Sequence, residues 1–299
     1  MLMGLMPGDP LDIACNANPK CDPKNVVEMK KALGLDRPSH ERFFIWAKDA
    51  LQGDLGFSRT YRKPVTEIIG ERLVNTFILG SLAAIISVFI AIPLGIYAGT
   101  RPRSKADYGI NFLCFLGVSS PSFWLALMLI YVFAVWLQIL PAGGVSSIQA
   151  SAYGFGPMIV DRIVHLILPV TALSALTIAQ WLRHTRSSMM DVMSQDYMRT
   201  ARAKGLSWSQ AIKTHGVKNA LLPVVTVVAL GFSIVFSGAV ITETVFSYQG
   251  IGKLMYDSIL ANDYNVAMCA FVISCTAVLM ANFVADILYG VLDPRIKLK

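Results

Sequence analysis

Residues 75–100 read NTFILGSLAAIISVFIAIPLGIYAGT, twenty-six positions without a charged side chain. A bilayer core about 30 Å thick is crossed by roughly 20 apolar residues in a helix. This stretch is therefore long enough to span, with residues to spare. Four further stretches repeat the pattern. Residues 108–140, 222–242 and 264–285 carry no charge, and 163–182 carries only His165. The 299-residue chain is 15% charged, against about 25% for soluble domains. Five such runs exceed what a soluble core needs, so the fold class is all-α and polytopic. Residues 1–6 read as the end of a further span, which gives five full spans plus the end of a truncated first one.

The basic residues set the orientation. Short cytoplasmic loops are enriched in Lys and Arg. Arg101, Arg103 and Lys105 follow the first full span, seven Lys or Arg lie between 183 and 218, and Arg295, Lys297 and Lys299 form the tail. The alternate loops hold only Arg162 and Lys253. These three basic segments are placed in the cytoplasm, with the C-terminus. Residues 1–74, where eleven bases meet ten acids, form the end of the first span and an extracytoplasmic cap. Helical periodicity is expected at 25–33 and 40–51, and a loop at 53–60. Residues 75–293 form the transmembrane domain and 294–299 the cytoplasmic tail. The net charge of +7 follows membrane topology rather than nucleic-acid binding.

The cytoplasmic stretch 194–223 exceeds the 2–8 residues that join neighbouring helices. Residues 196–204 are rich in helix formers. Gly205 suits the left-handed position after a helix. Ser207 and Gln210 have the spacing of a capping box, and a second helix follows from Trp208 to Leu222, ahead of Pro223. This helix–turn–helix either docks in a groove of a soluble partner or rests on lipid as an interfacial helix.

The run DYMRTARAKGL at 196–206, followed by His215 and NALLP at 219–223, resembles the cytoplasmic coupling loop of permeases of ATP-binding-cassette (ABC) importers. It is most similar to the dipeptide, oligopeptide and nickel group. Pro7-Gly8-Asp9-Pro10, Gly53-Asp54-Leu55-Gly56, Ser120 to Trp124, Glu243 to Ser247, Gly250-Ile251-Gly252, and Asp286 to Arg295 resemble other segments of that family. The resemblance implies a type I ABC-importer transmembrane domain that carries peptides or a related small solute. It implies two ATPase partner subunits, a second related permease chain and an extracytoplasmic solute-binding protein. Arg199, Thr200, Ala201, Arg202, Ala203, Lys204, Gly205, Leu206, His215, Asn219 and Pro223 are the expected ATPase-coupling residues. No catalytic, metal or cofactor site is expected, and no nucleic acid. Gly252-Lys253 fails as a phosphate loop because Ser247 and Leu254 occupy positions that Gly and Ser or Thr must fill. The first helix, full-length in that family, reads here as truncated by an internal start or a fragment.

Isolated residues have plainer readings. His165 is expected at the interface, at the outer end of a span. Glu243, near an outer helix end, either lines a pathway or is exposed. Asp286 and Arg295 form a structural pair. Trp124, Trp136 and Trp181 fit an aromatic belt. Gly95 and Gly99 allow close helix approach. Cys15 and Cys21 either pair outside the membrane or stay free. The alternatives in function are an ion-coupled secondary transporter, disfavoured by the lack of midplane charge, and a non-transport scaffold, which has no use for the hairpin.

Overall fold

The structure, a computed structural model, describes residues 38–150 and 154–292. The end of the first span, the 7–10 turn, the 25–33 helix, Cys15 with Cys21, and the Asp286–Arg295 pair lie outside what is described. In chain order the helices are α1 Ser39–Leu51, α2 Val65–Thr100, α3 Lys105–Ser119, α4 Ser122–Leu129, α5 Phe155–Met193, α6 Asp196–Ala203, α7 Trp208–Ala211, α8 Val217–Val245, α9 Ile251–Leu260 and α10 Tyr264–Leu292. Helices α2, α5 and α10, and the helical stretch entering α8, are long and apolar enough to cross a bilayer. The 36 residues of α2 rise about 54 Å at 1.5 Å each, well beyond the hydrocarbon core.

The run 108–140 is not one straight span. Helix α3 and α4, with the π-helical Ile130–Trp136 that continues α4, are bent by 104° at a break. Pro121 is the cause. Proline pushes the residue before it into extended backbone, and Ser120 sits at φ −85°, ψ 127°. By contrast Pro93 and Pro169 lie inside α2 and α5 without ending them.

The chain divides into two compact units. The first comprises 38–73 with 254–273. Its organising group is the buried Asp263. One carboxylate oxygen accepts from the Ser58 hydroxyl at 2.7 Å and from the backbone N–H groups of Arg59 and Thr60, both at 3.0 Å. Gly56, at φ +84°, faces the Asn265 amide at 3.1 Å from where a Cβ would lie. The Asn265 amide donates to the Phe57 carbonyl. The 53–60 loop is thus folded against the chain more than 200 residues later.

The second unit comprises 74–253 with 274–292. Its axis is α5, against which α3, α4 and α8 pack. Phe89, Leu113 and Leu279 are 75%, 68% and 67% exposed. Large apolar side chains exposed in such number on long helices mark a lipid-facing surface. Trp124 and Trp136 are exposed, as an aromatic belt requires, but Trp181 is not. Trp181 is buried with Leu182, Ala179, Ala91 and Cys114, and Gly231 faces its indole so closely that a Cβ would stand 2.6 Å from Nε1. Trp181 is a core residue, and Gly231 is small to receive it.

The glycine pair on α2 has a larger role than its common pattern implies. A Cβ on Gly95 would stand 2.6 Å from the Thr185 Cβ and 2.9 Å from the Leu182 carbonyl oxygen. On Gly99 it would stand 2.7 Å from the Met189 Cβ and 2.9 Å from the Arg186 carbonyl. Backbone atoms on one side leave no flexible group to give way, so Gly95→Leu forces the helices apart. Overpacking of this kind costs about 1–3 kcal/mol or more. The expected result is a clearly lowered melting temperature for the purified protein in detergent, and an unchanged one would remove this seam from the core.

Candidate functional site

The 194–223 stretch forms a helical hairpin whose turn is chemically closed on both sides. Helix α6 starts after Gln195 in extended backbone, with Asp196 in its first turn and Arg202 in its last. Both charges complement the helix dipole. At its end Gly205 takes φ +91°. The Gly205 N–H donates to the Arg202 carbonyl at 2.9 Å and the Leu206 N–H to the Ala201 carbonyl at 3.3 Å. This is the Schellman arrangement, with its glycine in the left-handed position. Next, the Gln210 N–H donates to the Ser207 hydroxyl at 3.3 Å and the Ser207 N–H to the Gln210 side-chain oxygen at 3.0 Å, a closed capping box.

Helix α7 passes into a π-helical turn, Ile212–Gly216, and then into α8. The second arm of the hairpin is therefore continuous with a span. Within the π turn the Asn219 amide donates to the His215 carbonyl at 2.8 Å. Pro223 sits inside α8 without breaking it.

The inner face of the hairpin is apolar. Met198, Ala201 and Ala211 are buried together, with Met193, Leu206 and Ile212 packed against them. Gly216 lies under the Met189 side chain, where a Cβ would stand 2.9 Å from the methyl carbon. The outer face is cationic. Arg199, Thr200, Arg202, Ala203, Lys204 and Gly205 are exposed. Arg199 is 3.5 Å from Asp196, but both side chains are over four-fifths exposed, so the pair adds little. The Arg202 guanidinium stacks over the Trp208 ring at 5.0 Å. Met193, Met198, Arg199, Arg202 and Trp208 line a shallow groove. Of the expected residues, 199–206 form the tip, with Ala201 and half-buried Leu206 holding it from beneath. His215, Asn219 and Pro223 belong to the stem.

One hydrogen bond ties the stem of this hairpin to the spans and an ion pair beside it ties α3 to α5, and sequence reasoning missed both. The Ser188 hydroxyl donates to the Ala220 carbonyl at 2.7 Å, tying α5 to the start of α8. Two residues earlier on α5, Arg186 holds Asp107 through two hydrogen bonds, Nε at 2.6 Å and an Nη at 2.8 Å. Asp107 is buried and also accepts from the Arg103 N–H at 2.9 Å and the Asn111 amide at 2.7 Å. Seventy-nine residues separate the pair, so no local pattern marks it.

His165 is buried, with Nδ1 2.8 Å from the Asp161 carbonyl. Glu243 is fully buried, which excludes the exposed alternative.

The family model described as binding-protein-dependent transport system inner membrane component matches residues 91–298. The chain is 40% identical over 298 residues to the oligopeptide transport system permease protein AppB of Bacillus subtilis, covering 99% of this chain and 92% of that one. It is 34% identical over 311 residues to the dipeptide transport system permease protein DppB of Escherichia coli K12, covering 99% and 91%. It is 35% identical to the glutathione transport system permease protein GsiC of Salmonella choleraesuis, covering 100% and 92%. In fold it is similar to the MetNI methionine ABC transporter in inward-facing conformations, with a TM-score of 0.60 at 14% identity over 76% of this chain and 97% of that one.

Proposed function

The chain belongs to the binding-protein-dependent transport system inner membrane component family, and from that membership we propose that its basic hairpin is the socket through which an ATPase subunit drives the spans. The protein is a membrane-spanning permease subunit of an ABC importer. It is a transport subunit and not an enzyme, and ATP hydrolysis belongs to separate partner chains. Oligopeptide, dipeptide and glutathione permeases are among its relatives, and peptides are the solute class we assign. We place the hairpin and C-terminus in the cytoplasm, following the basic loops, and a second related permease beside this one across the pathway.

The observation that carries the coupling role is the build of the hairpin. Its turn is closed on both sides by its own caps, its apolar face is spent on the protein, and its tip presents Arg199, Arg202 and Lys204 outward. Such an element transmits rigid-body motion and suits an acidic groove. The continuous second arm carries that motion straight into α8.

Cross-linking tests it. A cysteine at Ala203, on the exposed tip, is expected to cross-link to a co-purified ATPase subunit and to label only from the cytoplasmic side. Labelling from outside, or cross-links that never reach an ATPase, would overturn the socket.

A further inference from the structure

The motif Glu243…Gly250-Ile251-Gly252 has no part in the coupling hairpin. It lies at the opposite end of α8 and contains a fully buried carboxylate. One oxygen of Glu243 accepts from the Thr76 hydroxyl at 2.6 Å and the other from the Lys253 backbone N–H at 3.0 Å. Thr76 Oγ1 in turn accepts from the Ile251 N–H at 2.8 Å. The Asn75 amide donates to the Gln249 carbonyl at 2.9 Å, and the Tyr248 hydroxyl donates to the Asn75 carbonyl at 3.3 Å. The Tyr248 N–H closes on Glu243's own carbonyl at 2.8 Å. On the other flank the Gly144 N–H donates to the Phe246 carbonyl at 2.9 Å, and Gly143 touches that carbonyl so closely that it has no room for a Cβ. The 246–253 segment is thus fastened to α2 at Asn75 and Thr76 and to the loop preceding α5.

The glycines fit this reading. A Cβ on Gly250 would fall on the Glu243 carboxylate, and one on Gly252 would stand 2.9 Å from its Oε2 and 2.7 Å from the Val240 Cα. Neither glycine has a left-handed backbone. At Gly250, then, the carboxylate is what excludes a side chain. Burial, and next the Glu243 charge, push the Tyr248 phenol up to about 12. Its hydroxyl keeps its proton at neutral pH and the bond to Asn75 persists.

We propose that Glu243 is the positioning residue of the outer gate: it holds the 246–253 loop in the one shape that joins the outer ends of α2 and α8 to the 137–150 loop, so that this rim opens and closes as a single body. The proposal rests on the importer reading and on the orientation given above. A loop held this way keeps the rim shut until motion arrives through α8. Once loosened, it lets the rim part without solute delivery.

The experiment uses the whole importer in lipid nanodiscs, with E243Q, G250A, E243A and E243A/G250A. It reads assembly, amide hydrogen exchange over 246–253, peptide-free ATP hydrolysis, and uptake of trialanine by the same complexes in proteoliposomes. E243Q keeps the shape and loses one charge-assisted bond, so protection is expected to fall about tenfold. G250A is expected to do the same alone and to add little in E243A, the non-additivity of groups in contact. Peptide-free hydrolysis is expected to rise about threefold or more and uptake to fall about tenfold, in an assembled complex, within the range of ordinary coupling between sites. Unchanged protection, or additive effects, would overturn the proposal. So would a loosened loop with normal hydrolysis and uptake, because Glu243 would then only shape a loop. A wild-type preparation without ATPase would overturn the importer reading and the gate with it, whereas variants that couple normally in an ATPase-bearing complex overturn the gate alone.

Discussion

Gly205→Val is expected to cut ATP-driven uptake about tenfold or more while leaving the protein inserted in the membrane. The effect is conformational rather than steric. Gly205 sits at φ +91°, and a Cβ there would meet nothing within 4 Å. The left-handed region costs an L-residue about 1–2 kcal/mol, and a β-branched side chain has the least tolerance for it. Leaving that region breaks both Schellman bonds, to the carbonyls of Arg202 and Ala201. Leu206 then no longer lies against Met198 and Ala201, and the tip bearing Arg199, Arg202 and Lys204 changes shape. Insertion is untouched because the residue is outside every apolar run. Gly205→Asn is the control: asparagine tolerates the left-handed conformation, so most uptake should survive. Uptake, membrane abundance and ATPase co-purification are measured together. Normal uptake by the valine variant would remove the tip from the coupling path.

Asp107→Ala is expected to give the largest loss of stability. A buried ion pair is a weak source of net stability, but removing one partner costs about 3–5 kcal/mol because the other charge is stranded. Arg186 keeps 23% exposure, which lets it reach some water and puts the loss near the lower bound. The Arg103 N–H and Asn111 amide lose an acceptor as well. Asp107→Ala with Arg186→Met is expected to recover part of the loss, since no orphan charge remains. Thermal unfolding of the purified complex reads this. A double variant less stable than both singles would show that the pair matters for something other than charge compensation.

Much of this architecture was written locally. Charge-free runs announce spans because lipid tolerates nothing else over that length. Gly205, Ser207 and Gln210 announce a closed hairpin because turn and cap chemistry depends on neighbours two to four residues away. What stayed hidden depends on distant partners. Trp181 looks like a belt residue until Gly231 is found across from it. His165 stands alone in its apolar run, and nothing near it in sequence announces that it is buried. Asp107 and Arg186 look like ordinary members of basic, polar loops. The short α9 escapes notice because ten residues with mixed polarity give little periodic signal, and the 108–140 run, charge-free throughout, conceals the break at Pro121. Glu243 was left open between exposure and a pathway because Thr76, its main contact, is 167 positions away.

The seam between α2 and α5 constrains how the permease can move. Gly95 and Gly99 sit over Thr185 and Met189, two notches spaced four residues apart on each helix. An offset smaller than one turn would lift the glycines off Thr185 and Met189 and bring backbone that carries a Cβ toward the Leu182 and Arg186 carbonyls. Sliding along this seam is therefore a ratchet with a tooth of about 6 Å, four residues at 1.5 Å each, and no gradual glide is open to it. A stroke smaller than one tooth must swing the two helices together, like the blade and handle of one lever.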